Sequence, residues 1–259
     1  MPAQAVSEAR ITLALRAAGC VFAEDEAALL VAAGGSADAL SARVARRVAG
    51  EPLEVILGWA EFAGLRIAIA PGVFVPRRRS EYLVRRAVTL ASQDSLVVDL
   101  CCGSGALGAA MAAAVSGIRL FASDIEPAAV RCARENLDGI GEVFEGDLYE
   151  ALPGALRGRV DILLVNAPYV PTDEIAGMPP EARLYEPLVA LDGGSDGLEI
   201  HRRVAASARD WLSTGGSLLI ETSARQSSEA VRIFERAGLI ARVAHSKKRA
   251  ATVVIGTPA

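Results

Sequence analysis

Val97-Val98-Asp99-Leu100-Cys101-Cys102-Gly103-Ser104-Gly105 begins as an apolar run, reaches a carboxylate and turns through two glycines. A short apolar segment of this kind fits a strand buried on both faces. Gly103 and Gly105 allow a tight turn and a close approach of backbone to ligand. Residues 106–115, rich in alanine, have the composition of the helix that follows. The rest of the chain repeats this unit. Apolar runs recur at residues 119–123, 143–144, 160–165, 217–221, 240–244 and 252–255, most of them separated by helical patterns. Such alternation gives an α/β fold, a parallel sheet covered by helices. Lys247-Lys248-Arg249 is too short for a crossover helix, so the last two runs pair antiparallel.

Upstream the texture changes twice. Residues 7–18, 24–33 and 37–48 read as short helices broken at Gly19, Gly34-Gly35 and Gly50, a small Ala- and Arg-rich module. Residues 54–75 turn β-branched and aromatic around Gly58, Gly64 and Pro71-Gly72, which points to a hairpin connector with Trp59 and Phe62 in its core. Pro76 then opens a basic stretch and a helix. The expected organisation is a helical module over 1–50, a hairpin over 51–75 and an α/β domain over 76–259.

Composition narrows the class. The 259 residues suffice for one large α/β domain with a small appendage. No apolar run is long enough to span a bilayer, and Glu8, Arg10 and Arg16 break the order of a secretory signal, so a cytoplasmic protein that meets no membrane is expected. A net charge of −4 argues against a chain that wraps nucleic acid, while leaving room for a local basic patch. Cys20, Cys101, Cys102 and Cys132 form neither a disulfide framework nor a metal-ligand spacing, and His201 and His245 are isolated. They read as small buried thiols and ordinary histidines, with no metal expected.

The glycine turn, Gly103-x-Gly105-x-x-Gly108, with Asp124 closing the second strand, fits a dinucleotide fingerprint and an S-adenosylmethionine site alike. Asp99 tips the balance. A carboxylate there repels a pyrophosphate and suits the ammonium of a methionine moiety. Asp147, after the third strand, is placed to meet an adenine, with Leu148 beside it. Asp99, Asp124 and Asp147 thus mark the carboxyl edge of the sheet, where open α/β folds bind ligands. A plainer reading makes them helix caps or solvated turn residues. Cys101 and Cys102 read as small residues of the turn.

After the fourth strand comes Asn166-Ala167-Pro168-Tyr169, and here the chain resembles amino-methyltransferases that carry an Asn/Asp-Pro-Pro-aromatic motif. In that group the Asn oxygen and the next carbonyl accept both hydrogens of a planar NH2. Held so, a delocalised nitrogen faces the methyl carbon, and the charge that develops on it is favoured. An aromatic ring stacks on the planar group or shields the sulfonium. The resemblance narrows, over residues 50–259, to the HemK/PrmC-like glutamine methyltransferases. Its marks are Glu51-Pro52, Ile56-Leu57-Gly58, Glu61-Phe62, Val75-Pro76-Arg77, Ser80-Glu81, residues 99–105 and 166–169, Tyr185-Glu186-Pro187, Ala190-Leu191, Gly194-x-Asp196-Gly197, Gly215-Gly216 and Glu221.

The resemblance implies a Rossmann-like seven-stranded sheet with an antiparallel last strand, preceded by a helical domain and a β-hairpin. It implies S-adenosylmethionine held by Asp99, Cys101, Cys102, Gly103, Ser104, Gly105, Asp124, Asp147, Leu148 and Asn166. Catalysis falls to Asn166, Ala167, Pro168 and Tyr169, and the substrate is the Gly-Gly-Gln glutamine of a peptide-chain release factor gripped by the helical module. Three departures stand out. Ala167 replaces the first Pro, keeping the carbonyl while losing the locked φ, although Pro168 still biases it to extended conformations. Arg79 puts a cation where the family has an anion. Ala251-Thr252 replaces an Arg usual in the last strand region. Other acceptors stay open: a nucleic-acid base, a ribosomal protein, a small molecule, or none, if the domain is a methyltransferase-like binding module. Arg77-Arg78-Arg79 reads either as a contact for an acidic partner or RNA, or as a solvated helix start.

Overall fold

The computed structural model describes residues 7–259; residues 1–6 of the expected helical module lie outside them. Helices α1 (Glu8–Ala17), α2 (Ala23–Ala32) and α3 (Ala37–Val48) form that module. Its core is small and separate: Ile11, Leu15, Ala23, Ala27 and Leu30 pack with Leu53 and Ile56. The last two belong to a short helix, α4 (Leu53–Leu57), where the sequence pattern pointed to hairpin. Spaced three apart, Leu53 and Ile56 share one helical face and both bury it against the module. The hairpin itself is β1 (Trp59–Phe62) and β2 (Leu65–Ala68), with Phe62 fully buried and Arg66 laid over Trp59.

Helix α5 (Glu81–Val88) leads into the sheet. Its strands are β3 (Leu96–Leu100), β4 (Arg119–Asp124), β5 (Gly141–Glu145), β6 (Val160–Val165), β7 (Leu212–Thr222), β8 (Leu239–Ser246) and β9 (Ala251–Pro258), in the order β5-β4-β3-β6-β7-β9-β8. The first five pair parallel, and β9 runs antiparallel to both β7 and β8. This is the expected Rossmann-like seven-stranded fold. Helices α6 (Ala106–Ala114), α7 (Pro127–Asn136), α8 (Pro180–Tyr185), α9 (Glu199–Trp211) and α10 (Ser227–Arg236) complete it.

Strand alternation divides the core in two. Val97 of β3 packs in one layer with Leu83, Leu107, Met111 and Leu137, and Leu96, Val98 and Leu100 pack in the other with Val204, Trp211 and Phe234. At the centre of the sheet every residue of β3 is buried between the two layers. Its rigidity fixes the carboxyl ends of β3, β4, β5 and β6, from which the site grows. No helix of the described residues is long and apolar enough to cross a membrane.

Candidate active site

A cleft opens at those four strand ends. Cys101, Cys102, Gly103 and Ser104 line it from the turn after β3, Asp124, Ile125 and Glu126 from β4, Asp147 and Leu148 from β5, and Asn166 and Pro168 from β6. Phe74, Pro76, Pro187 and Val189 close the opposite wall. The turn is wound through left-handed backbone at Cys101, Gly103 and Gly105, with φ of 55°, 57° and 77°. Asp124 braces it: Oδ2 accepts from the Gly103 N–H at 2.8 Å, and Oδ1 from the Glu126 N–H at 2.9 Å. Burial pushes this carboxyl above its usual range, against the pull of the backbone donors. Asp147 pairs with Arg203 at 2.6 Å on the rim.

This lining suits S-adenosylmethionine. A half-buried carboxylate at the end of β4 stands where a ribose diol needs an acceptor, Ile125 and Leu148 are apolar surfaces for a purine ring, and Asp147 is an acceptor for its amine. Among the described residues no group of three or more His, Cys, Asp or Glu is placed to hold a metal.

Two of the expected cofactor residues sit outside the lining. Asp99 is fully buried beneath the turn, its Oδ2 accepting from the Gly108 N–H at 3.0 Å and its Oδ1 unpartnered. Desolvation pushes its carboxyl up to about 7. It lies on the face of β3 that carries Val97, turned toward α6, so its place is under the loop and behind the cleft wall. Gly108 is what admits it: a Cβ there would sit 3.1 Å from Leu120 and 3.4 Å from Asp99 Oδ2. Gly105 likewise packs inward, toward Leu137 and Ala133.

Of the motif after β6, Asn166 and Pro168 line the cleft, while Ala167 and Tyr169 lie outside its lining. Asn166 turns its Nδ2 toward the buried Ser80 hydroxyl at 3.5 Å, an orientation that leaves Oδ1 as an acceptor. Ala167 and Pro168 follow, Ala167 buried. The Tyr169 carbonyl accepts from Gln226 Nε2 at 3.0 Å, and that amide also donates to the Asp196 carbonyl at 2.9 Å. Val170 is bridged to the residues just before the Gly194-x-Asp196-Gly197 segment by a 3.1 Å bond to the Leu191 carbonyl and a 2.9 Å bond from the Gly193 N–H. Gly197 has φ of 72°, and a Cβ on it would collide with the Tyr169 carbonyl and the Gln226 amide. Sequence reasoning gave no role to Ser80, Gln226, Arg203 or Phe74; Ser80 and the residues around 187 and 197 were visible only as marks of the resemblance.

The basic run opens a helical turn, Arg78–Ser80, at the surface, with two of its arginines tied to buried carboxylates. Arg77 pairs with the buried Glu186 at 2.6 Å and stands over the Phe74 ring. Arg78 faces solvent, 3.7 Å from Glu61. Arg79 meets Glu221 at 3.1 Å and the Tyr169 hydroxyl at 2.8 Å. Two of the three arginines thus pair with buried carboxylates, Arg77 itself half-buried and Arg79 itself exposed at the surface.

A parallel sheet with an antiparallel final pair, an acidic second strand end and an Asn-x-Pro-Tyr turn at the fourth define a class I S-adenosylmethionine-dependent methyltransferase. Residues 64–178 match the family model described as a methyltransferase small domain. The chain is 37% identical over 198 residues to a release factor glutamine methyltransferase of Geobacter sulfurreducens, covering 75% of this chain and 69% of that one. It is 35% identical over 214 residues to the 4-amino-L-phenylalanine/4-methylamino-L-phenylalanine methyltransferase of Streptomyces pristinaespiralis, covering 80% and 72%. A methyltransferase from Pyrococcus furiosus shares the fold, with TM-score 0.57, 17% identity and coverage of 83% and 98%. The chain belongs to the HemK/PrmC-like family of release factor glutamine methyltransferases.

Proposed function

We propose that this chain moves the methyl group of S-adenosylmethionine to the side-chain amide nitrogen of a glutamine, in the Gly-Gly-Gln segment of a peptide-chain release factor. The observation that carries it is Asn166: its NH2 is turned to Ser80 and its oxygen is left as an acceptor where the cofactor cleft ends. When bound, the cofactor supplies an electrophilic methyl on a sulfonium. The protein's share is orientation. Asn166 Oδ1 and the Ala167 carbonyl accept the two N–H hydrogens, Pro168 and Tyr169 wall the planar group, and the nitrogen's lone pair is left facing the methyl. The helical module is the proposed grip on the protein acceptor.

Release factor and 4-amino-L-phenylalanine, the acceptors named for two relatives, both present a planar NH2. Incubation with labelled cofactor and each acceptor, followed by mass location of the methyl group, decides between them. Label on the release-factor glutamine supports the proposal; label only on the arylamine overturns it. Asn166→Ala is expected to lower kcat on the order of a hundredfold with the fold intact, as for removal of one preorganised polar group. Ala167→Pro keeps the carbonyl and is expected to be neutral or mildly activating.

A further inference from the structure

Tyr169 walls the acceptor site, and its hydroxyl is held from behind. It donates to Oε1 of Glu221 at 3.2 Å and accepts from Nη2 of Arg79 at 2.8 Å, while Nε of Arg79 reaches the same Oε1 at 3.1 Å. Three side chains from distant parts of the chain close one ring of hydrogen bonds. Glu221 is only 2% exposed, and its Oε2 has no partner in the protein. The Arg79 guanidinium also lies 6.0 Å from the centre of the Tyr169 ring.

This arrangement has chemical consequences. Burial, then the neighbouring carboxylate, pushes the Tyr169 phenol up to about 12, so it keeps its proton at neutral pH. That O–H points in a hydrogen bond to Glu221, and the oxygen accepts from Arg79. Tyr169 therefore has no hydrogen to offer an acceptor and addresses it through the ring alone. The planar fork of arginine presents its N–H donors to the two oxygens in a fixed geometry, whereas lysine brings a point charge on a flexible stem and does not hold the ring in one place. Cation and anion offset each other, so the ring of bonds orders the site and adds no net charge near the reacting nitrogen.

We infer that Arg79 is a positioning residue for methyl transfer, clamping Tyr169 together with Glu221 so that the aromatic wall stands fixed beside Asn166. The inference rests on the acceptor site proposed above. Using the full chain and whichever of the two acceptors the parent methylates, Arg79→Gln is expected to lower kcat roughly tenfold and Tyr169→Phe roughly fivefold, with KM for the cofactor unchanged. The double variant should be no slower than the slower single, because both break one unit. Arg79→Lys should recover the melting temperature while leaving kcat well below the parent. Parental kcat in Arg79→Gln, losses that multiply in the double, or full rescue by lysine would each overturn the clamp. Lysine alone carries the kinetic test if Arg79→Gln does not fold. A parent inactive on both acceptors refutes the functional reading instead. The clamp is then judged by melting temperatures across the same cycle, where non-additive shifts support it and additive shifts overturn it.

Discussion

Both oxygens of Asp124 are engaged by backbone, at Gly103 and Glu126, so this one residue shapes the glycine turn as well as facing the cleft. Asp124→Ala is expected to weaken S-adenosylmethionine binding by roughly 1.5 to 3 kcal/mol, measured by calorimetry. Equal affinity in the variant would remove Asp124 from the site. Its position was legible because it ends a strand at the usual distance beyond a glycine turn. Asp99 shows the limit of that reasoning. It precedes Leu100 within β3 and shares a face with Val97, so strand parity sends its carboxyl under α6. A sequence shows that a carboxylate is near a strand end; which face it takes depends on where the strand stops. Arg79 was legible as a departure and opaque in purpose, since its partner Glu221 is 142 residues away. With Ala251-Thr252 in place of an arginine in the last strand region, it is Arg79 that supplies the cation beside this buried carboxylate.

At the scale of elements, long and strongly patterned segments follow the sequence and short ones do not. Strands β3 and β6 start and stop where the apolar runs do, while α4 and α8 span under two turns and give no helical period to detect. The segment of residues 193–197 is loop by composition, yet it packs on the turn of residues 166–169. Gly197→Ala is therefore expected to depress turnover at least tenfold and to lower the melting temperature, because a methyl group meets the Tyr169 carbonyl and the backbone is left-handed there. Parental kcat with normal melting would show that the turn is set elsewhere.

On α9, His201 donates through Nε2 to the Glu221 carbonyl at 3.1 Å, with Nδ1 buried and unpartnered. Burial pushes it down to about 4, from an ordinary value of 6.5. A folded value below the unfolded one means stability that is complete above pH 6.5 and lost as the pH falls toward 4. Between pH 7.5 and 5 the parent should lose about 2 kcal/mol more than His201→Gln, which keeps the donor and does not titrate. Parallel melting curves over that range would refute the assignment.

Across the whole molecule, α8 is a second link between two cores that α4 also joins, with Leu53 and Ile56 in the helical core and Val55 packed against that of the sheet. Toward the helical module, Glu181 lies 3.6 Å from Arg47, itself bound to Glu26 at 2.6 Å, and the Tyr185 hydroxyl donates to the Ala49 carbonyl at 3.2 Å. Toward the catalytic domain, Glu186 accepts from Arg77 and from the Val75 N–H at 3.2 Å. The next residues, Pro187 and Val189, line the cleft. The module in turn exposes the apolar side chains of Leu13, Val21 and Phe22. The grip proposed for this module would be joined to the cleft mouth through α8. Glu181→Gln combined with Tyr185→Phe removes the charge pairing and the hydroxyl while preserving side-chain volume. It is expected to leave cofactor affinity within about twofold and to raise KM for a full-length release factor roughly fivefold, an effect near 1 kcal/mol. Turnover of a short Gly-Gly-Gln peptide, too small to reach the module, should not change. Equal losses on peptide and protein would place the defect in the cleft, and an unchanged KM on the protein would show that the module grips nothing through this link.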